Sequence, residues 1–360
     1  MNKIINFNAG PSKIPETINH IISKDVINWE SSGMSVLELS HRSNEFISIY
    51  EKAQNNLRKL LNIPDNYKIL FMQGGGYGQF SAIPMNLLSN PEDKADYIIT
   101  GYWSEKAYIE AQKYGNINIV IKTVQDRIPY NNEINYDPTS KYLYYCSNET
   151  IDGVQFDYTP DVNIPLVCDM SSDFLSKPID VTKYGIIFAG AQKNVGIPGM
   201  SIVIINEKLL NQLNKNNSIP SILHYKLISD NGSMFFNTPP TFQIYVSGLI
   251  FDWLLKKGGL EAIQKENEDK AKLLYNQIDN SNGFYINNVK NRSKMNVIFQ
   301  LRDKELTDIF LKKTNENGFV GLQGHRSMGG LRASIYNAIT IEEVQKLCDF
   351  MDDFMDDYKM

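Results

Sequence analysis

Cysteine and long apolar runs are scarce in this sequence, and their scarcity excludes several classes of protein. Three cysteines occur among 360 residues, Cys146, Cys168 and Cys348, and none belongs to a C-x-x-C pair. All three lie in apolar segments, so we predict buried, reduced thiols of a cytosolic protein rather than a disulfide framework. No apolar run approaches the ~20 residues that a membrane helix needs. The N-terminal residues also lack the hydrophobic region of a signal peptide.

An excess of charge of either sign is missing as well. The formal net charge is −5 and the sequence pI is about 5.5, so nothing favours nucleic acid or an anionic membrane as a partner. Any anion must therefore be bound by a local cluster of donors. We predict small-molecule ligands and a cytoplasmic location, and no metal site is predicted.

Residues 65–205 alternate short apolar runs with longer amphipathic segments such as 79–88 and 104–115, and this pattern predicts strands alternating with helices. Several of the runs are continuously apolar, as expected for strands that are covered by helices on both faces. The pattern is typical of an α/β domain with a mostly parallel sheet. The predicted strands are KILFM (68–72), ADYIIT (95–100), NIVIKTV (118–124), KYLYYCS (141–147), PLVCDMS (165–171), YGIIFAG (184–190) and SIVIIN (201–206).

The character of the chain changes after Thr241. A long apolar helix (242–259) precedes a second helix (260–280) whose lysines, in QKENEDKAKLL (264–274), have the neighbours of a solvated helix face. Strands over 294–301 and 329–336 follow, and a last helix starts at a capping box formed by Thr340 and Glu343. We predict an N-terminal arm (1–15), a large domain (16–250) and a smaller α+β domain (251–360).

A glycine cluster, GGGYG (74–78), separates the first predicted strand from a helix that we expect to start near Gln79. Glycines let backbone N–H groups turn towards a ligand, and a helix N-terminus favours a phosphate. A tight turn without a ligand explains the cluster equally well. The cluster matches neither a Walker A loop nor the dinucleotide fingerprint.

Asp169 and Lys193 are the residues with the strongest chemical signal. Asp169 ends an apolar strand, where an acid faces the ligand crevice of an open α/β sheet or else caps the next turn. Lys193, in FAGAQKNVG (188–196), lies between nearly uncharged, glycine-bearing segments. An acid for a pyridinium nitrogen, a lysine for a Schiff base and a loop for a phosphate are the requirements of pyridoxal phosphate. Trp103, also just after a strand, suits either stacking on a flat ring or the core.

These residues belong to longer motifs that resemble the phosphoserine aminotransferase family, a group of class V, fold-type I pyridoxal-phosphate enzymes. The motifs extend over nearly the whole chain: FNAGPSKIP, GMSVLELSHRSNEF, GGGYGQFSAIPMNLL, GYWSEKA, YYCSNETIDGV, DMSSDFLSKPIDVTKYGIIFAGAQKNVGIPG, NGSMFFNTPPTF and GHRSMGGLRASIYNA. The resemblance implies a large domain with a mostly parallel seven-stranded sheet flanked by helices, and a smaller α+β C-terminal domain.

For the cofactor, pyridoxal 5′-phosphate, the resemblance implies a role for each matched residue. Lys193 would form the Schiff base and Asp169 would pair with the pyridine nitrogen. Trp103 would stack on the ring. Four further residues of the same chain would contact the cofactor and two would come from the other subunit of a homodimer: Thr150 and Gln192 by hydrogen bonds, Gly76 and Tyr77 at its phosphate, and the partner's Asn237 and Thr238 at the same phosphate.

For the reaction, the resemblance implies a ping-pong transfer of the amino group from glutamate to 3-phosphohydroxypyruvate. The products are phosphoserine and 2-oxoglutarate, in serine biosynthesis. An analogous 3-hydroxy-2-oxo-4-phosphobutanoate of vitamin B6 synthesis is a possible further substrate. Glutamate and 3-phosphohydroxypyruvate each carry two anionic ends, and arginine is well suited to bind carboxylate and phosphate groups. The implied substrate residues are His41, Arg42, His325, Arg326 and Arg332, with Arg332 on the α-carboxylate.

Two positions depart from the family pattern. Tyr77 stands where the family commonly has arginine, so the phosphate must be held by backbone N–H groups and hydroxyls. Ala9 stands where some relatives have serine. Another class V enzyme, such as an alanine–glyoxylate aminotransferase or a cysteine desulfurase, is the nearest competitor, although no cysteine lies in a predicted mobile loop. A non-catalytic ligand-binding protein is the alternative from a different functional class.

Overall fold

The structure of the protein is a computed structural model that describes residues 4–123, 127–213, 218–232, 236–326 and 328–358. In these residues the strands are β1 (Ile5–Asn6), β2 (Tyr67–Gln73), β3 (Lys94–Ile99), β4 (Asn116–Lys122), β5 (Leu143–Cys146), β6 (Asn148–Glu149), β7 (Val154–Gln155), β8 (Leu166–Asp169), β9 (Ile186–Gly190), β10 (Met200–Asn206), β11 (Tyr285–Ile286), β12 (Asn296–Leu301), β13 (Phe319–Val320) and β14 (Leu331–Ser334). The α-helices are α1 (Glu16–Asn28), α2 (Asn44–Leu61), α3 (Gly75–Leu87), α4 (Tyr102–Ala111), α5 (Glu207–Gln212), α6 (Tyr225–Asp230), α7 (Thr241–Lys256), α8 (Gly259–Asp279), α9 (Leu306–Glu316) and α10 (Ile341–Tyr358).

The seven strands predicted between residues 65 and 205 pair in one sheet, in the order β2-β10-β9-β8-β5-β3-β4. Neighbouring strands are parallel, except that β10 is antiparallel to both β2 and β9. The predicted α/β fold with a mostly parallel seven-stranded sheet is confirmed. β4 lies at the edge and ends at Lys122, while Val124 of its predicted range lies outside the described residues.

Both faces of this sheet are covered, which explains its continuously apolar strands. Ile187 and Phe188 are consecutive in β9 and belong to different apolar cores, because successive side chains of a strand point to opposite faces. α2 and α7 contribute to the first core through residues such as Leu57 and Phe251. α3 and α4 contribute to the second core. The site described below lies at the edge where the parallel strands end.

A third core is built from the C-terminal elements and the start of the chain. β11, β12 and β14 form a separate sheet, and residues of α8 and α10 pack into the same core as Phe7. β1 adds to this part because it pairs with β13, with Ile5 opposite Phe319. The division into residues 1–15, 16–250 and 251–360 stays a prediction.

Two local predictions for the C-terminal helices have different outcomes. The capping box is confirmed: the backbone N–H of Glu343 donates to Thr340 Oγ1 at 3.3 Å, and that of Thr340 donates to Glu343 Oε2 at 3.1 Å. The solvated helix face predicted for the lysines of 264–274 is wrong for Lys270, whose exposed fraction is 0%. The cost of burying its ammonium group is offset by three backbone carbonyls, which accept its N–H bonds.

Within the described residues, no helix combines the length and the apolar character that crossing a membrane requires.

Candidate active site

A cavity of about 470 Å³ opens at the carboxyl ends of β2, β5, β8 and β9. Its volume lies within the range of small-molecule sites, roughly 300–1,000 Å³. Parallel strands place the residues that follow them at a common edge, so positions far apart in the sequence meet there. Seven of the nine predicted cofactor residues line this cavity: Gly76, Tyr77, Trp103, Thr150, Asp169, Gln192 and Lys193.

Lys193 lies in the loop between β9 and β10 and lines the cavity. Nζ donates a hydrogen bond to Thr150 Oγ1 and lies 5.6 Å from the centroid of the Trp103 ring. Burial lowers the pKa of Lys193, against the opposing effect of the Asp169 charge. A larger share of neutral amine follows, and a neutral amine is the form that attacks a carbonyl group.

Asp169 is the last residue of β8 and combines the two interpretations that the sequence left open. Its Oδ1 accepts a hydrogen bond from the backbone N–H of Ser171 at 2.8 Å, so it caps the following turn. It also lines the cavity, with 4% of its surface exposed. Burial raises the pKa of Asp169, while the Ser171 hydrogen bonds and the Lys193 charge act in the opposite direction.

The glycine cluster forms the first turn of α3 rather than a loop ahead of it. The helix begins at Gly75, four residues before the predicted start, and Gly74 precedes it with a φ of 99°. The first N–H groups of a helix lack acceptors within the helix, and here they adjoin the cavity wall formed by Gly75, Gly76 and Tyr77. This end of α3 therefore provides donors for an anion.

Tyr77 contributes an aromatic edge in place of a charge. Its ring centroid lies 6.0 Å from that of Trp103 and 5.2 Å from that of Phe80, and 54% of its surface is exposed. The Trp103 ring is thus supported by Tyr77 on the side that faces α3. The buried Nε1 of Trp103 has no hydrogen-bond partner among the described residues.

Asn237 and Thr238 are outside the cavity and exposed. The carbonyl oxygen of Thr238 accepts a hydrogen bond from Gln73 Nε2 at 3.1 Å. Gln73 directly precedes the glycine cluster, so this segment lies beside the mouth of the site. The structure brings the two residues near the cavity but does not place them in its wall.

His41 and Arg42 lie in the turn before α2 and do not line the cavity either. His41 is buried, and its Nε2 has no hydrogen-bond partner among the described residues. Burial and the nearby Arg42 charge lower the pKa of His41. Arg42 is exposed.

His325, Arg326 and Arg332 line a second cavity of about 660 Å³. Arg332, on β14, connects it to the first, because its Nη1 donates to the backbone carbonyl of Thr150 at 3.3 Å. Its Nε is buried without a hydrogen-bond partner among the described residues. Burial lowers the pKa of His325, and the charges of Arg332 and Arg326 lower it further. In this second cavity Arg326 and Arg332 therefore carry the positive charge, and the Arg332 charge also acts to lower the pKa of Lys193.

Several residues around Lys193 were missed by the sequence analysis. Ser171 Oγ accepts a hydrogen bond from the backbone N–H of Gly190 at 2.9 Å, which ties the ends of β8 and β9 together. The N-terminal arm lies against the lysine loop: Ser12 N donates to the carbonyl of Gln192 at 3.0 Å, and Ser12 Oγ donates to that of Lys193. A pair of serines after Asp169 was visible in the sequence, whereas nothing local indicated that contact of the arm.

The residues present fit pyridoxal phosphate. A nucleophilic lysine, a buried acid, an aromatic face and a helix N-terminus converge on one cavity, and each matches one part of that molecule: its aldehyde, its ring nitrogen, its ring plane and its phosphate.

Comparison with known proteins identifies the family of this chain. The family model of class-V aminotransferases matches residues 4–347. The phosphoserine aminotransferase of Acinetobacter baylyi is 51% identical over 356 residues, which cover 97% of this chain and 98% of that protein. The crystal structure of pyridoxal-phosphate-bound phosphoserine aminotransferase from Trichomonas vaginalis aligns with a TM-score of 0.92 at 39% identity, covering 97% of this chain and all of that one.

A further solved structure, from work on radiation damage of the Schiff base in phosphoserine aminotransferase, aligns with a TM-score of 0.96. Its sequence is 45% identical, and the alignment covers 99% of this chain and 100% of that chain. Matches of this length and identity include both the large sheet and the C-terminal core. The chain belongs to the class-V aminotransferases and, among them, to the phosphoserine aminotransferase family.

Proposed function

We propose that this protein transfers the amino group of glutamate to 3-phosphohydroxypyruvate, with pyridoxal 5′-phosphate as its cofactor, and releases phosphoserine and 2-oxoglutarate. The observation that carries the proposal is the position of Lys193 Nζ. It lies in a cavity between the Trp103 ring and the Thr150 hydroxyl, with Asp169 in the same wall. The proposed metabolic role is a step of serine biosynthesis.

Lys193 is the proposed nucleophile and base. When bound, pyridoxal phosphate supplies a ring system that withdraws electrons from the substrate Cα–H bond and makes it acidic. Lys193 Nζ accepts the Cα proton, which requires the neutral amine, and the lowered pKa of Lys193 favours that form. Thr150 Oγ1 orients the amino group beside the substrate.

Three further parts of the site have proposed holding roles. The Asp169 carboxylate pairs with the ring nitrogen, and its buried position strengthens this charge interaction. The Trp103 ring fixes the plane of the bound ring, and Gln192 donates a hydrogen bond to it. The N–H groups at the start of α3, at Gly76 and Tyr77, bind the phosphate.

The cluster of His325, Arg326 and Arg332 in the second cavity is the proposed site of the substrate's anionic groups. Arg332 is its inner member, because it also contacts the backbone of Thr150. The unpartnered Nε of Arg332 provides donor capacity for a carboxylate. We therefore place the α-carboxylate on Arg332 and the distal anion on His325 and Arg326.

A homodimer with shared active sites is part of the same proposal. Asn237 and Thr238 are exposed and lie beside the cavity mouth rather than in it, which suits residues that reach the phosphate bound by a partner subunit. Arg42 is also exposed and outside both cavities. Together with His41, it is proposed to meet the substrate's distal anion. The three free, buried cysteines support a cytoplasmic location.

The reaction can be tested directly with the purified, pyridoxal-phosphate-loaded protein. Phosphoserine and 2-oxoglutarate are supplied and glutamate production is followed for the wild type, Arg332→Ala and Arg302→Ala. Arg302 is an exposed arginine outside both cavities and serves as the matched control. We expect Arg332→Ala to lower kcat/KM by about 30-fold to 1,000-fold, since a lost buried charge pair costs roughly 2–4 kcal/mol.

The control Arg302→Ala is expected to stay within about twofold of the wild type. A protein that forms no glutamate, or stays colourless when pyridoxal phosphate is added, contradicts the proposed function. An Arg332→Ala variant as active as the wild type contradicts only the assignment of the carboxylate.

A further inference from the structure

Two buried acids lie behind the cavity in the short hairpin formed by β6 and β7. Glu149 ends β6, Asp152 lies in the turn, and the exposed fraction of each is 0%. Residue 150, between them, is the threonine that contacts Lys193. Neither acid lines the cavity, so any effect on the reaction must pass through other residues.

Both acids bind the N-terminus of α4. The backbone N–H of Tyr102 donates to Asp152 Oδ2 at 2.8 Å, and those of Trp103 and Ser104 donate to Glu149 Oε2 and Oε1, each at 2.9 Å. These first three N–H groups of the helix have no acceptor within it. A carboxylate at this end of a helix is also favoured by the helix dipole.

Gly101 allows the helix to approach the acids closely. A Cβ at this position would lie 2.3 Å from Asp152 Oδ2 and 2.7 Å from Glu149 Cγ, closer than side-chain carbons are found. Any side chain would therefore push the start of α4 away from the hairpin. The close contact between the helix and the two acids therefore depends on the glycine at position 101 as well as on the acid side chains.

The segments joined in this way carry side chains on both sides of the site. α4 carries Trp103, whose ring flanks Lys193, and the hairpin carries Thr150, whose hydroxyl and carbonyl contact Lys193 and Arg332. Tyr102, at the start of the same helix, has its ring centroid 5.1 Å from that of His325. The residues proposed to bind the cofactor and the substrate are thus held by the same contact between the start of α4 and the hairpin.

Two acids in one buried place are costly to fold. Burial raises the pKa of both carboxyl groups, and the buried Oδ1 of Asp152 has no hydrogen-bond partner among the described residues. An apolar hairpin with an ordinary serine or threonine cap would avoid this cost. A serine or threonine hydroxyl would accept from fewer of these N–H groups. Here the two oxygens of Glu149 bind two neighbouring N–H groups, and Asp152 binds a third.

We propose that Glu149 and Asp152 are positioning residues of the reaction: together they hold the start of α4 against the hairpin, and so hold the Trp103 ring at the distance from Lys193 that clamps the cofactor ring. The proposal rests on the proposed function, in which Trp103 flanks bound pyridoxal phosphate. Neither residue contacts the reacting atoms, and the expected effect is on geometry and cofactor affinity.

The test uses Trp103 as its own reporter. The sequence has three tryptophans, so Trp29→Phe with Trp253→Phe leaves Trp103 as the only one. Apoprotein in this background is titrated with pyridoxal phosphate while Trp103 fluorescence is recorded. We expect Glu149→Gln to raise the dissociation constant about tenfold and to reduce the quenching at saturation, because its amide NH₂ faces a backbone N–H and displaces the helix. Asp152→Asn is expected to act in the same direction.

Glu105→Gln is the matched control, since Glu105 lies in the first turn of the same helix but is exposed and paired with Lys122. We expect its dissociation constant and quenching to stay within about twofold of the background protein. Equal effects of Glu105→Gln and Glu149→Gln would mean that any lost negative charge near the start of α4 weakens binding, and this would overturn the proposal. Unchanged affinity and quenching in both Glu149→Gln and Asp152→Asn overturn it as well.

The near-UV circular dichroism of Trp103 in the apoproteins separates this proposal from the proposed function. It reports the seating of Trp103 without any cofactor, and we expect it to change in Glu149→Gln and not in Glu105→Gln. If pyridoxal phosphate fails to bind even the background protein, the proposed function fails while this signal still decides the positioning role. If Glu149→Gln does not fold, Asp152→Asn decides the outcome by the same signal.

Discussion

Lys193 and Lys270 differ in how many N–H donors of their amino groups are free to bind a ligand. Lys193 faces a cavity, and the one hydrogen bond of its amino group to a described residue goes to the Thr150 hydroxyl. Lys270, on α8, is enclosed completely and donates to the backbone carbonyls of Ile335, Tyr336 and Ile339 at 3.0, 2.8 and 2.9 Å. An ammonium group has three N–H bonds, so Lys270 has none left for a ligand.

A lowered lysine pKa therefore occurs in two different structural settings in this protein. Desolvation lowers the pKa of both lysines, and a lowered pKa alone would mark either of them as reactive. The cavity and its other residues, Asp169 and Trp103, separate the two cases, since chemistry needs space and partners as well as an amine. Lys270 instead holds the turn between β14 and α10, and so stabilises the strand that carries Arg332.

The largest expected effect is the loss of activity in Lys193→Ala. We expect transamination to fall by about 1,000-fold or more, because the variant loses the proposed general base, which is also the group proposed to bind the cofactor covalently. The absorption band of the lysine-linked cofactor, roughly at 400–430 nm, should be missing as well. Absorbance and glutamate production measure the two effects on one sample.

Lys113→Ala is the control for that experiment, because Lys113 is an exposed lysine whose partner, Glu110, is three residues away on the surface. We expect it to keep both the band and the activity. A Lys193→Ala protein that retains them would remove the distinction between the two lysines.

The next largest effect is on stability, in Lys270→Met. Methionine has a similar length but no donor, so three buried carbonyls lose their partner, and we expect a loss of about 3 kcal/mol in the free energy of unfolding. Activity per folded molecule should change little. Denaturant unfolding of the apoprotein measures the first quantity, and Lys272→Met, at a neighbouring position of α8 that is not fully buried, is the control.

The pH dependence of the same pair of proteins tests the charge of Lys270. Burial lowers the pKa of Lys270 to about 7, whereas the unfolded chain keeps this proton up to about pH 10. Between these values the native Lys270 loses its proton, and with it one of its three N–H bonds, while the unfolded state stays protonated. Because the unfolded state then binds more protons, the stability of the wild type relative to Lys270→Met should rise with pH, by about 1.5 kcal/mol from about pH 7 to 8.5. A constant difference would mean that the three carbonyls keep the lysine charged throughout.

The two regions also show what could be predicted from the sequence. The seven strands were predictable because each is a continuous apolar run, and Lys193 was noticeable because its neighbours carry no charge. Lys270 was not, since its local sequence, ENEDKAKLL, reads as a surface helix and its three partners lie more than 60 residues further on. The start of α3 was also misplaced, because glycines disfavour helices in general and here the tertiary structure overrides that preference.

The candidate site divides in the same way. Parts of the cavity wall were predictable from the strand pattern, since Asp169 ends a strand and Trp103 follows one, whereas Thr150 was implied only by the resemblance to the family. The N-terminal arm at Ser12 and the acids beneath α4 depend on contacts between distant segments, for which a single sequence contains no periodic signal. The contact of Asn237 and Thr238 with a cofactor phosphate requires a second subunit, and both it and the substrate contacts of His41 and Arg42 stay predictions.

The smallest expected effect concerns Tyr77, a position in the cavity wall where a positive charge can be added. Tyr77→Arg adds a cation beside the N-terminus of α3, and we expect pyridoxal phosphate to bind about threefold to tenfold more tightly, as one exposed charge contact allows. Tyr77→Phe is the matched control: it keeps the ring that supports Trp103, and its affinity should stay within about twofold if backbone N–H groups alone hold the phosphate. Equilibrium titration of the apoproteins measures both. A marked loss of affinity in Tyr77→Phe would show instead that the hydroxyl is a phosphate ligand. The phosphate end of the Lys193 cavity would then already use a side-chain donor, as Lys270 uses all three of its N–H bonds.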